Sequence, residues 1–423
     1  ELVNGTLDAE AGAKKKGLSL PKMVFFLVAQ MAGAGFLSLP RAVADSGWMG
    51  VFMMILFCVL MGYSGTRLGE CWTILEERWE EYRGSSRSPY MDIAFRALGI
   101  NGRRLAYTCV LVTLFGVSTV TLILLCGFMN SLIPQLSLCE WILIVAAVFI
   151  PFTWAGTPKD FWQASVVAVI STVICCVIIF VQMLIEDFPE PEFPNPAMAS
   201  FSLGFGAILF AFGGAAVFPT LQNDMADRSK FGKGVIVGFA IILSLYLPVA
   251  VTGYARIGND VESNILLSVT QSTAIKVAIG VEIINLFGTY LIPFNVFAQG
   301  VEDLLNIENK FGVKRAILRT AIVAVEMLIG LAVPDFGLIL NLIGGSTITV
   351  CSFLLPPLMY MRLVDMQDQN PEWPKRKIPL WERIILWEIV ILGVVGGIAS
   401  TVSAVFAIAD PNSFGQNCFV NFD

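Results

Sequence analysis

Long apolar segments separated by short polar loops run through almost the whole chain. A helix needs about 20 mostly apolar residues to cross a bilayer. By this criterion the pattern predicts eleven membrane spans, at 22–43, 48–72, 104–133, 138–156, 162–186, 201–223, 231–256, 273–303, 313–332, 336–362 and 383–409. We therefore predict an all-α polytopic membrane protein.

Two of these spans are interrupted in the same way. The first has Gly35 five residues before Pro40, and the sixth has Gly214 five residues before Pro219. Glycine weakens a helix, and proline removes a donor and clashes with the preceding turn. A lipid-facing helix must satisfy its own backbone groups. Paired interruptions in the two halves of a membrane protein therefore indicate broken helices that expose backbone to a small solute.

The composition agrees with a membrane protein and excludes several function classes. Of 423 residues, 56% are hydrophobic, mean hydropathy is +0.75, and 14% are charged, against about 25% in soluble domains. No GxxxxGK[ST] loop is present, which argues against an ATPase. The chain has no histidine, the commonest metal ligand. We expect no enzyme, no metal site, no cofactor and no nucleic-acid partner.

Basic residues are concentrated in every second loop, and the intervening loops are poor in Lys and Arg. By the positive-inside rule the N-terminus is cytosolic, and an odd number of spans places the C-terminus outside or in a lumen. The predicted organisation is a cytosolic segment 1–21, a membrane domain 22–409 and a tail 410–423.

Cys139 and Cys418 both fall on the non-cytosolic side, where a disulfide persists; the alternative is a free buried Cys139 and a disordered tail.

Two motifs resemble those of a known family. Gly33-Ala34-Gly35-Phe36-Leu37-Ser38-Leu39-Pro40, followed by Ser46-Gly47-Trp48, resembles the first helix of the amino acid/auxin permease family, and the segment Phe212–Met225 resembles its sixth helix. One position departs from the pattern. Related sequences commonly carry a histidine after the two glycines, where this chain has Ala215, so it either works differently or is an altered version.

The resemblance implies the leucine-transporter-like fold of the amino acid–polyamine–cation superfamily. Segment 22–186 would form the first repeat and 201–362 the inverted second repeat. Helices 1 and 6 would be discontinuous, and a helix at 383–409 would pack outside.

Broken helices suit an amino acid as the solute. Each helix end leaves backbone donors or acceptors without partners; freed N–H groups suit a carboxylate and freed carbonyls an ammonium. The predicted substrate-binding residues at the breaks are Ala32, Gly33, Ala34, Gly35, Phe212, Gly213, Gly214 and Ala215. The alternative is that these glycines only allow close helix packing.

Polar side chains on facing spans are candidates for substrate specificity. They are Thr113, Ser118, Asn285, Tyr290 and Ser346, with Asn341 and Thr347 as further polar positions in the tenth span. Asn285 and Thr289 are four apart and share a helix face. A single Ser or Thr usually bonds its own helix, which is the alternative for each. In the resembling fold the eighth span supplies a hydroxyl beside the first span, where a sodium ion or its substitute sits, and Thr289 is our choice for that role.

An acidic residue inside a membrane span costs free energy when it is ionised, and such residues are usually functional. Glu282 lies well inside the eighth span and is our candidate for binding a coupling proton; a helix-to-helix hydrogen bond or an ion pair is the alternative. For Glu326 in the ninth span a structural role is favoured. At the span ends we predict a gate contact of Asp224 with Arg41 or Arg228.

The sequence thus predicts a secondary transporter of neutral amino acids, coupled to protons or alternatively to sodium, and monomeric in the bilayer of a plasma, lysosomal or vesicular membrane. An amino-acid sensor is a rival, although only about 20 residues precede the first span. A channel would show a polar stripe or charged rings, which the sequence lacks.

Overall fold

The structure, a computed structural model, describes residues 17–84, 86, 88–154, 161–307, 312–370, 373–410 and 418–419. Most of the predicted segment 1–21 and of the predicted tail 410–423 lies outside this part. Within it the α-helices, numbered in chain order, are α1 Leu20–Met31, α2 Leu39–Ser46, α3 Met49–Arg78, α4 Pro89–Leu132, α5 Leu138–Trp154, α6 Phe161–Ile185, α7 Met198–Ala211, α8 Phe218–Asn223, α9 Phe231–Ile257, α10 Ile265–Ser268, α11 Thr273–Leu304, α12 Val313–Ala332, α13 Phe336–Ile343, α14 Leu355–Asp365 and α15 Leu380–Ala409.

The predicted all-helical membrane architecture is confirmed. In the described part of the chain, eight helical segments are long and apolar enough to cross a membrane, and a ninth is added when α1 and the segment Ala34–Ser46, bent by 49° to each other, count as one span. Two predicted spans fall short of that test. Helix α5 has only 17 residues, and α12 carries four charged side chains among its 20 residues. The exact count of eleven spans therefore stays a prediction.

Each half of the chain begins with a broken helix, as the interruptions indicated. The first half opens with α1 and α2, and the second with α7 and α8. Helix α2 packs against α7, and α9 packs against α1, α2 and α3. On the other side α11 packs against α4 and α6, and α12 packs against α5. The broken helices therefore lie within the helix bundle rather than at its edge.

Helix α13 continues into α14 through two π-helical turns, Gly344–Ile348 and Val350–Leu354. A π turn is a widened part of a helix and is frequent at functional sites. Here it coincides with a close crossing, because a Cβ at Gly344 would lie 2.0 Å from the carbonyl oxygen of Gly206 in α7. Only glycine permits this approach between α7 and the tenth predicted span.

The two ends of the bundle are tied by different contacts. At the end where α1 begins, Leu18 pairs with the segment after α8: its N–H donates to the carbonyl of Asp224 at 2.8 Å, and its carbonyl accepts from Ala226 N at 3.0 Å. At the opposite end, Arg41 Nη1 donates to the carbonyl of Val261 at 3.1 Å. Each set of contacts joins one half of the chain to the other.

Candidate functional site: the paired helix breaks

The break in the first span begins where α1 ends. Ala32 has φ −74° and ψ 68°, and Gly33 is extended with φ −129° and ψ −162°. A 3-10 turn over Ala34–Ser38 follows and leads into α2. Pro40 lies in the first turn of α2, where its missing N–H costs nothing and its fixed φ favours the helix. The proline that the sequence analysis treats as a breaker thus starts the second half-helix.

The break in the sixth span repeats this order. Helix α7 ends at Ala211, Phe212 and Gly213 follow, and Gly214 takes φ 148°. L-residues with a side chain rarely adopt that backbone conformation, so the break requires glycine at this position. A 3-10 turn over Ala215–Val217 leads into α8, which has Pro219 in its first turn.

The two breaks lie against each other. A Cβ at Gly35 would lie 2.7 Å from Ala211 Cα, and one at Gly214 would lie 3.7 Å from Met31 Cγ. Ala32, Ala34, Phe212 and Ala215 are buried, whereas Gly33, Gly213 and Gly214 stay partly accessible. Eight residues predicted from sequence are thus brought to one place in the bundle.

Tyr246 of α9 supplies a hydrogen bond to the end of α1, a role that was not predicted from the sequence. Its hydroxyl donates to the carbonyl of Met31 at 2.7 Å. Its buried ring stacks on Phe36 with a centroid distance of 5.9 Å and lies 6.0 Å from the ring of Phe212. Tyrosine in an apolar span is ordinarily core, but a buried hydroxyl needs a partner. That need is the one feature of the sequence that would have indicated a contact with a broken helix end.

A polar ladder on α11 leads away from the first break. Thr289 lies beside Gly33, with its methyl carbon Cγ2 4.0 Å from a Cβ added to that glycine. Its hydroxyl donates to Asn285 Oδ1 at 3.3 Å, and Asn285 Nδ2 donates to Glu282 Oε1 at 3.3 Å. The thiol of Cys175 in α6 donates to Glu282 Oε2 at 3.6 Å. Glu282 is fully buried, so the ladder connects the break to a buried acid.

A second polar contact lies near the sixth-span break. Thr113 of α4 donates to Thr347 of the π-helical segment at 2.7 Å, and both residues are partly accessible. The adjacent Ile348 contacts Gly213, since an added Cβ there would lie 3.2 Å from Ile348 Cγ2. Thr113, a predicted specificity residue, therefore lies close to the residues of the break.

The hydroxyls of three predicted substrate-binding residues make their hydrogen bonds away from the helix breaks. Ser118 and Tyr290 both contact Glu326 of α12, so their hydroxyls are used on the far side of α11. Tyr290 follows Thr289 directly, and successive helical residues differ by about 100° in direction. Ser346 donates to its own helix at the carbonyl of Leu342, 2.5 Å away, and lines a groove toward α15.

The predicted contact between Arg41 and Asp224 is wrong. Arg41 pairs with Asp45 of α2, with 3.0 Å between Nε and Oδ1. Asp224 lies at the opposite end of the bundle, where its backbone carbonyl binds Leu18. The other partner considered for it, Arg228, pairs with Glu76 instead. The cause is topological, because α2 ends at the end of the bundle opposite to the one that α8 reaches.

Cys139 and Cys418 form a disulfide in the structure. The backbone N–H of Cys418 also donates to the carbonyl of Leu331 at 2.9 Å. A residue beyond α15 is thereby attached to the start of α5 and the end of α12.

Comparison with known proteins agrees with this architecture. A model of the family described as "Transmembrane amino acid transporter protein" matches residues 16–406. The chain is 26% identical over 395 residues to "Amino acid transporter AVT1B" of Arabidopsis thaliana, an alignment that covers 90% of this chain and 69% of that protein.

Solved transporters share the fold at low identity. The manganese transporter of Eremococcus coleocola, in complex with an aromatic bis-isothiourea substituted compound, is 11% identical with a TM-score of 0.54, covering 92% of this chain and 87% of that one. Mhp1, a nucleobase-cation-symport-1 family transporter in a closed conformation with bromovinylhydantoin bound, is 16% identical with a TM-score of 0.51, covering 93% of each chain. These likenesses confirm the leucine-transporter-like fold class.

The family model covers nearly the whole described bundle, including both breaks and the polar ladder. The resemblance to amino acid/auxin permeases seen in the sequence motifs is confirmed, and the chain belongs to the family of transmembrane amino acid transporter proteins.

Proposed function

We propose that this chain is a secondary active transporter that carries small neutral amino acids together with protons. The observation that carries the proposal is the contact between two helix breaks, one from each half of the chain. In transporters of this architecture the substrate binds where such breaks meet. The amino acid transporters among the relatives support the substrate class.

The main chain at the breaks recognises the part that all α-amino acids share. The 3-10 turn that starts at Ala34 and leads into α2 offers N–H groups to a carboxylate. The C-terminal end of α1 offers carbonyl groups to the ammonium. Both groups of the substrate are thereby bound without a charged side chain.

The surroundings of the breaks favour an uncharged side chain on the substrate. The side chains nearest to the three accessible glycines of the breaks are all uncharged, and they belong to Thr289, Ile348, Phe218 and Met31. A second substrate charge would find no partner among these groups and would be costly to desolvate.

Glu282 is our candidate for the coupling proton. It is fully buried, and no salt bridge in the described ranges includes it. A buried carboxylate without a counter-ion is costly in a membrane, so proton loss is coupled to opening of the site to water. The ladder through Asn285 and Thr289 transmits the state of Glu282 to Gly33 and thus to the substrate.

Transport then follows by alternating access. Helices α1, α2, α3, α7, α8 and α9 form one moving unit that contains both breaks, and α4, α5, α11 and α12 form the scaffold against which it moves. We place the end that carries Leu18 in the cytosol, following the positive-inside rule. The disulfide between Cys139 and Cys418 lies on the opposite side, where oxidising conditions preserve it.

The test is uptake by purified protein in liposomes. Counterflow of a panel of labelled neutral, basic and acidic amino acids identifies substrates without any gradient. Imposed pH and sodium gradients then show which ion drives accumulation. We expect counterflow of neutral amino acids and accumulation under a proton gradient alone; accumulation under sodium alone, or no dependence on either gradient, contradicts proton symport.

Variants link the result to the residues. We expect Glu282→Gln to keep counterflow but to lose accumulation driven by the proton gradient, because glutamine cannot release a proton. We expect Thr289→Val to lower counterflow, because it removes the ladder hydroxyl beside Gly33. Thr121→Val is its control, because the Thr121 hydroxyl only bonds the carbonyl of Val117 in its own helix. Binding of an amino acid without counterflow would favour the sensor instead.

A further inference from the structure

A second buried acid lies in the scaffold. Glu326 of α12 is fully buried. Ser118 of α4 contacts its Oε1, and the hydroxyl of Tyr290 of α11 donates to its Oε2 at 2.6 Å. The Tyr290 ring stacks on Phe149 of α5 with a centroid distance of 4.0 Å. One acidic side chain thus joins three helices, and the ring it positions packs on a fourth.

Among the described residues, none near Glu326 carries a charge that would balance a carboxylate. Within the described ranges no salt bridge includes Glu326. The nearest basic residue on the same face of α12 is Arg319, about 10 Å away along the helix axis, and it is paired with Glu302. The other titratable group near Tyr290 is the buried thiol of Cys126. An ionised Glu326 would be an isolated buried charge, which proteins avoid.

If Glu326 is ionised, the hydrogen-bond contacts around it need more hydrogens than the hydroxyls of Ser118 and Tyr290 supply. The Ser118 oxygen lies within bonding distance of Glu326 Oε1 and also 2.9 Å from the carbonyl of Phe115. A serine hydroxyl has one hydrogen and can donate to only one of them. If Glu326 is ionised, one of these two contacts has no hydrogen.

A protonated Glu326 satisfies every contact. Its own O–H then donates to the Ser118 oxygen, the Ser118 hydroxyl donates to the carbonyl of Phe115, and the Tyr290 hydroxyl donates to Glu326 Oε2. This chain of three hydrogen bonds has no unpaired donor and no net charge.

We propose that Glu326 stays protonated throughout the transport cycle and acts as a positioning residue that fixes the orientation of α11. Tyr290 lies next to Thr289 on that helix. By holding Tyr290 against α4 and α12, the neutral acid fixes the direction in which Thr289 and Asn285 face the break.

The two buried acids therefore have separate roles. Glu282 is held by longer contacts, 3.3 Å from Asn285 and 3.6 Å from Cys175, and it lies on the ladder that leads to Gly33. Glu326 lies outside that ladder. The protonation state of Glu326 does not depend on the proposed function; only the transport measurements below do.

The isosteric variant Glu326→Gln distinguishes a positioning role of Glu326 from a role in proton coupling. In Glu326→Gln the amide N–H can donate to Ser118 and the amide oxygen can accept from Tyr290, so we expect uptake within about twofold of wild type. Its KM and pH profile should also be unchanged. In Glu326→Ala the Tyr290 hydroxyl loses its partner, and we expect uptake to fall by about tenfold or more. Glu282→Gln is the matched variant, which should lose proton-driven accumulation.

A direct measurement needs no transport. Infrared spectra of the purified protein, recorded across neutral and alkaline pH, should show a protonated carboxylic acid band that is absent in Glu326→Gln. If Glu326→Gln does not fold, the band that remains in Glu282→Gln reports Glu326 instead. Loss of that band within the pH range of active transport overturns the proposal. So does a Glu326→Gln variant that keeps counterflow but no longer accumulates substrate under a proton gradient.

Discussion

The hydroxyl of Tyr246 donates to the carbonyl of Met31 at 2.7 Å and so joins the middle of α9 to the last residue of α1. The same carbonyl accepts from Gly33 N at 2.9 Å. A carbonyl at a helix end has no partner within the helix, and here one is supplied from a different helix. The end of α1 is therefore held in place by a side chain 215 positions away in sequence.

Tyr246→Phe tests whether this bond matters for transport. The ring and its stacking on Phe36 remain, and only a hydrogen bond worth about 1 kcal/mol is lost. We expect the initial uptake rate in liposomes to fall by about fivefold. The control is Tyr107→Phe, which removes a bond of similar length to the carbonyl of Gly300 at a distance from the breaks. Equal rates in the two variants would refute a special role for Tyr246.

Gly214 gives a second prediction, because its φ of 148° excludes an ordinary side chain. Gly214→Ala must either strain the backbone, at a cost of about 1–3 kcal/mol, or force the break into a different backbone conformation. We expect substrate counterflow to be lost while the protein still inserts and purifies. Gly280→Ala in α11 is the control, because an added Cβ there meets nothing within 4 Å and alanine favours a helix. Normal counterflow in Gly214→Ala would show that the geometry of this break is not required.

The helix breaks were predictable from sequence because their cause is local. Glycine and proline act on their own turn of backbone, so Gly35 with Pro40 and Gly214 with Pro219 indicated discontinuous helices without knowledge of any neighbour. The same reasoning did not reveal that each proline starts the second half-helix. That detail depends on where the chain resumes helical geometry after the break.

The direction of side chains on long helices was not predictable in the same way. Thr289 and Tyr290 are adjacent in sequence, yet one lies beside Gly33 and the other contacts Glu326. Which face of α11 points to the breaks is set by packing against α4, α6 and α12. The polar residues of α11 lie on more than one face, so their spacing does not show which face that is. In this structure Ser118 and Tyr290 contact Glu326 and Ser346 bonds its own helix, and a role of the three in substrate binding stays a prediction.

The disulfide between Cys139 and Cys418 gives a third prediction, about stability. Cross-linking residues that are far apart in sequence restricts the unfolded chain, and loss of a native disulfide costs about 2–5 kcal/mol in small domains. We expect a reducing agent to lower the melting temperature of the detergent-solubilised protein. Cys139→Ser should melt at the lower temperature with or without the reducing agent. A wild-type melting temperature insensitive to reduction would show that the cross-link contributes nothing.

The last prediction concerns a buried ion cluster that holds α5, α11 and α12 together. Arg319 and Glu302 are both fully buried, with 2.6 Å between Nε and Oε1. Arg319 Nη1 also donates to the carbonyl of Thr153 and to Asn295 Oδ1, each at 2.6 Å. Arg315 contacts the same Glu302 oxygen at 3.1 Å. This cluster lies in the proposed scaffold, which must stay rigid while the other helices move.

Removing one partner should cost more than removing both. Glu302→Gln leaves Arg315 and Arg319 without the carboxylate that they share, and removing one partner of a buried ion pair in this way costs about 3–5 kcal/mol. The double variant with Arg319→Met has one uncompensated buried cation instead of two, so its stability should partly recover relative to Glu302→Gln alone. Melting temperatures of both single variants and the double variant give the coupling between the two residues. Additive losses would mean that the two side chains do not act as a pair, and that the rigidity of the scaffold comes from apolar packing alone.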